Sequence, residues 1–110
     1  MIELSVLAHI TQIVIHTIVH WESLFGDKTG IEKKKEVWKE VLSKIYDSAD
    51  SWMGLDAAVD AQVKEAIIPD LIDTIVALFN IQGEFTTENL DAVTSIVLRR
   101  YQTKGLLKEN

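Results

Sequence analysis

The chain predicts an all-α fold, a four- to five-helix bundle with a strongly apolar N-terminal helix, and three observations predict it. Apolar residues recur at three- and four-residue spacing nearly everywhere, which lines them on one helix face. No segment sustains the apolar/polar alternation of a half-buried strand. One proline and five glycines in 110 residues leave few breaks, and these fall between the periodic segments. The length suits one domain spanning residues 1–110, with helices expected at about 2–25, 30–52, 55–67, 69–81 and 86–103.

The first segment is apolar almost throughout: Ile2, Leu4, Val6, Leu7, Ile10, Ile13, Val14, Ile15, Ile18, Val19, Trp21, Leu24 and Phe25. Its polar residues Ser5, His9, Gln12, His16, His20 and Ser23 follow at steps of three and four, so they form one stripe of roughly 100°. Most of the circumference is left apolar and requires neighbours on several sides. The second segment places Val37, Trp38, Val41, Leu42, Ile45, Tyr46 and Ala49 on one face, with Thr29 and Glu32 at capping-box spacing. Its other face, Lys33, Lys35, Glu36, Lys39, Glu40 and Lys44, reads as solvated.

The third segment, from Leu55 through Val59, Val63, Ala66 and Ile67, meets Pro69. Proline removes a backbone donor and crowds the preceding turn, so a restart or sharp kink is expected there. Leu71, Ile72, Ile75, Val76 and Phe79 continue as a core stripe, and Asn80 and Gly83 are residue types that tolerate a left-handed helix end. Thr86 or Thr87 can cap a last helix whose buried face is Leu90, Val93, Val97 and Tyr101, while Arg99, Arg100 and Lys104 suit its negative end. Beyond Gly105 no pattern is evident, and a frayed tail is expected.

Charge and composition exclude several functions. Eleven basic and 17 acidic residues give a net charge of −6, the wrong sign for a phosphate-neutralising surface, so no nucleic acid is expected as a partner. The chain has no cysteine, hence no disulfide, thiolate ligand or thiol nucleophile. His16 and His20 stand at i, i+4 and face one way, but closed zinc sites need more ligands, and His9 lies about 10 Å along the helix axis from His16. No metal site or cofactor is therefore expected, and the stripe reads as a solvated face. Asp47, Asp50, Asp56, Asp60, Asp70 and Asp73 read as solvated or dipole-matching carboxylates rather than an acid/base pair. Gly26 and Gly30 lack the ending of a phosphate-binding loop, no serine sits in a nucleophile elbow, and no enzyme is expected. Lys33, Lys34 and Lys35 are too few for an anionic-lipid patch, and Trp21, Trp38 and Trp52 suit core packing with the indole donor at the rim.

The run from Val6 to Val19 carries no charge and approaches the roughly 20 residues that cross a bilayer. Glu3, Gln12 and three histidines are costly in hydrocarbon, and no Lys or Arg precedes Lys28 to anchor it, so membrane insertion is the minority expectation. A spanning version would have to oligomerise with its polar stripe facing water, which is a pore geometry.

Two stretches carry a family resemblance. Glu22-Ser23-Leu24-Phe25-Gly26-Asp27-Lys28-Thr29-Gly30-Ile31-Glu32-Lys33-Lys34 and Leu71-Ile72-Asp73-Thr74-Ile75-Val76-Ala77-Leu78-Phe79-Asn80-Ile81-Gln82-Gly83-Glu84-Phe85 resemble small helical proteins of tailed phages and prophages, holin-like or uncharacterised. The resemblance implies a phage origin more than an activity. The histidines in the apolar segment and the helix after Phe85 depart from a holin pattern.

The reading that follows is a non-enzymatic phage-type accessory protein, in the host cytoplasm or the virion, that forms a homo-oligomer and binds protein partners. Its motive is apolar surface on the first helix that the chain's own helices cover only in part. The expected interface is His9, Gln12, Ile13, His16, His20, Trp21 and Leu24. The alternatives are a holin-like membrane pore and a small-ligand sponge or sensor.

Overall fold

A computed structural model describes residues 2–25, 30–46, 61–83 and 86–108, and their architecture is all-α. A two-residue strand β1 (Ile2–Glu3) leads into α1 (Leu4–Phe25), followed by α2 (Gly30–Tyr46). A π-helical turn (Val63–Ile67) runs directly into α3 (Ile68–Gln82), and α4 (Leu90–Thr103) leads to a second short strand β2 (Leu107–Lys108).

Helix α1 is the centre of the fold, packing against α2, α3 and α4. Leu7, Ile10, Val14 and Ile15 are fully buried, and Val6 and Ile18 nearly so. They meet Val37, Val41 and Ile45 of α2, Ile72, Ile75 and Phe79 of α3, and Val93, Val97 and Tyr101 of α4 in one core cluster. Two threonines interrupt the apolar girth of α1 without leaving a buried polar group unmet: Thr11 donates to the Leu7 carbonyl at 2.7 Å and Thr17 to the Ile13 carbonyl at 2.8 Å.

The chain's own helices bury much of the apolar girth of α1, while Ile13, Val19 and Trp21 stay half-buried, which agrees with the expectation of partial cover. Among the described residues the exposed large apolar side chains are Leu4, Ile81, Ile96 and Leu106, and only Leu4 belongs to α1. Three helices of the same chain pack on this one rod.

The chain stays helical across Pro69 rather than restarting. The Ile68 amide donates back five residues to Val63, so the turn before the proline is widened into π register. In that register the carbonyl of Lys64 would take its donor from residue 69, which as proline has none. The Trp38 indole supplies it instead, its Nε1 lying 2.9 Å from the Lys64 oxygen. A proline that reads as a break is thus accommodated by a tryptophan from α2.

The ends of the chain also differ from expectation. Ile2 and Glu3 are extended rather than helical and pair in parallel with Leu107 and Lys108. The tail is ordered to that point because Gly105 ends α4 with φ of 70°, in the left-handed region. Leu106 N–H then donates to Tyr101 and Gly105 N–H to Gln102, the pair of bonds that defines a Schellman end. The reversal delivers Leu107 into the core, 7% exposed beside Ile2 at 1%. Gly83, also left-handed, closes α3 by donating to Phe79. Helix α4 starts at Leu90 and not at residue 86; the Thr86 hydroxyl accepts the Glu88 amide in the preceding turn.

Several expectations lie outside the described residues: the Thr29 cap, Trp52, Leu55, Val59, and the carboxylates Asp47, Asp50, Asp56 and Asp60. The side chains of Leu24 and Glu32 lie outside them as well.

Candidate functional site

The polar stripe of α1 is where the sequence places a functional surface, and its residues share a face. Ser5, His9, His16, His20 and Ser23 are exposed and Gln12 is half-buried. Ser23 is tied to the helix through its hydroxyl, which donates to the His20 carbonyl at 2.7 Å. Of the expected interface residues, His9, Gln12, His16 and His20 are therefore brought together along one line. Ile13 shares that face, one turn from His9 and His16, with its side chain half-buried against the core, whereas Trp21 lies further round the helix and is half-buried against the core. The indole of Trp21 points at α2, donating to Glu40 Oε2 at 3.0 Å.

That bond opens a polar seam between α1 and α2. Glu40 also accepts Lys44 at 3.5 Å, one turn further on, and the Lys44 ammonium donates to the Thr17 hydroxyl at 2.9 Å. Thr17 passes the chain of bonds to the Ile13 carbonyl. Glu40 and Lys44 are thus not simply part of a solvated face: they link the helices at the edge of the core. Indole placement follows the expected rule for Trp21 and Trp38, each with an apolar body inward and a donor at the rim.

Asp70 and Asp73, expected as dipole-matching carboxylates, also connect helices. Asp73 pairs with Lys34 of α2 at 2.8 Å, and Asp70 accepts the Tyr101 hydroxyl of α4 at 2.8 Å. Burial, and after it the Asp70 carboxylate, push the Tyr101 phenol above its ordinary value, because the ionised ring would lose solvent and meet a like charge. The two aspartates diverge to different partners on different helices, an arrangement that holds helices in place rather than one that converges on a substrate. Sequence reasoning missed both contacts and the Trp38 bond. For the last a signal was present, since Pro69 stands five residues after Lys64.

Among the described residues no group of three or more histidines, aspartates or glutamates is placed to hold a metal ion. Comparison of the chain with protein-family models, with curated proteins and with solved structures finds no match.

Proposed function

We propose that the chain is a non-enzymatic accessory protein of the tailed-phage type, a single four- to five-helix bundle that self-associates and binds protein partners through the histidine face of α1. It would act in the cytoplasm of a host bacterium or in the virion. One observation carries the reading: the helix around which the fold is built keeps a line of polar residues at its surface, with His9, His16 and His20 exposed. The tryptophans and carboxylates that tie the helices together supply the rigidity that a binding face needs. Half-buried Ile13 beside the stripe leaves some apolar surface next to these polar residues, which supports a partner contact on this side of α1.

Light scattering tests this. The reading expects a mass above 12.4 kDa at tens of micromolar, and a return to one chain's mass in His16→Glu/His20→Glu. A wild-type chain that stays monomeric at that concentration overturns self-association.

A second reading has its own observation. Leu4–Ser23 is 20 residues long with a mean hydropathy of 1.3, enough by length and composition to cross a membrane. For α1 to span, α2, α3 and α4 would have to peel away and expose Val41, Ile75, Phe79 and Val97, now buried against it. That cost favours the bundle. Full recovery in the soluble fraction without detergent is incompatible with a spanning helix; recovery with membranes would favour a holin-like pore.

A further inference from the structure

We propose that His16 and His20 form an open, two-imidazole chelate for a borderline divalent transition ion such as Zn2+, Ni2+ or Cu2+. Residues four apart on a helix lie one above the other, with Cβ atoms about 5–6 Å apart. That separation lets two rings reach one ion at the roughly 2.0–2.1 Å of a zinc–nitrogen bond. Both side chains are exposed, so neither ring has to leave the core to bind.

The backbone that carries the pair is already fixed. Ile15, just before the pair, and Ile18, between its two members, are buried. Thr17, between the two histidines, is anchored to the Ile13 carbonyl and to Lys44. The Ser23 hydroxyl holds the His20 carbonyl. A chelate on a preformed helix avoids the ordering cost that a flexible site would incur. Imidazole ligands select Zn2+, Ni2+ and Cu2+ over the oxygen-seeking Mg2+ and Ca2+, and the net charge of −6 raises the local concentration of any cation.

The absence of a third histidine or carboxylate in reach among the described residues defines the kind of site. It is not a closed structural centre; the remaining coordination positions are left to water or to a ligand atom from a bound partner. His9 shares the stripe but lies about 10 Å from His16 along the axis at 1.5 Å per residue, too far to join the same ion. It is therefore an internal control. The inference does not depend on self-association, because one copy supplies both ligands.

Isothermal titration of the full chain with Ni2+ or Zn2+ alone tests it, with circular dichroism confirming that each variant keeps its helices. One ion per chain is expected. His16→Asn and His20→Asn should each weaken binding by at least the roughly 10- to 100-fold seen when even an indirect support of a metal ligand is removed. His9→Asn should leave the affinity within about twofold, a change under 1 kcal/mol. Failure to saturate at about 1 mM metal, the free energy equivalent of which is only about 4 kcal/mol, overturns the proposal. So does an equal loss in His9→Asn, or unchanged binding in His16→Asn/His20→Asn.

Discussion

The two sides of α1 have opposite fates within one helix. Leu7, Ile10, Val14 and Ile15 have no exposed surface, while His9, His16 and His20 stand in solvent. The contrast shows that a helix apolar around most of its girth does not by itself imply lipid or sister chains. It calls for neighbours, and here three helices of the same chain pack on it and bury its innermost side. Function then has to be sought on the narrow side that the fold did not use.

Breaking the covered side should have the largest effect. Ile10→Ala or Ile15→Ala removes a fully buried branched side chain from the core and is expected to cost about 2–5 kcal/mol, read from denaturant midpoints. The next effect sharpens how that cover is held. Trp38→Phe leaves the Lys64 carbonyl without its indole donor and should cost about 1–3 kcal/mol. Pro69→Ala restores an amide at that position, so in the Pro69→Ala background the Trp38→Phe penalty should shrink; equal penalties in a double-mutant cycle would refute the link between the proline and the tryptophan.

Smaller still is the contact that fastens α4 to α3. Tyr101→Phe loses the hydroxyl bond to Asp70 and should cost about 1 kcal/mol near neutrality. Its pH signature is specific. The folded chain retains the phenolic proton above the unfolded value of about 10, so this contribution is complete below about pH 10 and declines as pH rises beyond it. Alkaline unfolding curves should therefore be shallower for Tyr101→Phe than for the wild type. On the open side, His16→Asn should change stability by no more than about 0.5 kcal/mol, since it replaces an exposed residue with no core contact; a loss several times larger would mean that the stripe is structural.

Much of this architecture was readable in the residues. The all-α class, the inward stripes of α2, α3 and α4, the solvent line of α1 and the left-handed Gly83 follow from periodicity and residue type alone. What escaped depends on contacts between segments distant in sequence. The pairing of Ile2 with Leu107 is invisible to any local window, although Gly105 before two leucines hinted at a turned end. Pro69 signals a break locally, and only the position of Trp38, 31 residues earlier, turns it into a continuous helix. Glu40, Lys44, Asp70 and Asp73 look like ordinary surface charge until their partners on other helices are known. The histidine stripe was legible as a line, and Trp21 as an apolar body with its donor at the rim; that Glu40 accepts that donor was not, because it depends on where α2 lies.

The central claim is that the chain itself, not a second copy, covers the apolar side of α1. A chain without cysteine allows a direct test: single cysteines are placed at residues 9, 10, 14, 15, 16 and 20, and their rates of reaction with a thiol reagent are measured across a hundredfold dilution, because mass action makes any intermolecular cover concentration-dependent. The account predicts protection at 10, 14 and 15 that does not change on dilution, and reaction at 9, 16 and 20 that is fast in the dilute chain and slower where copies associate. Protection at 10, 14 and 15 that vanishes as the chain is diluted would contradict it.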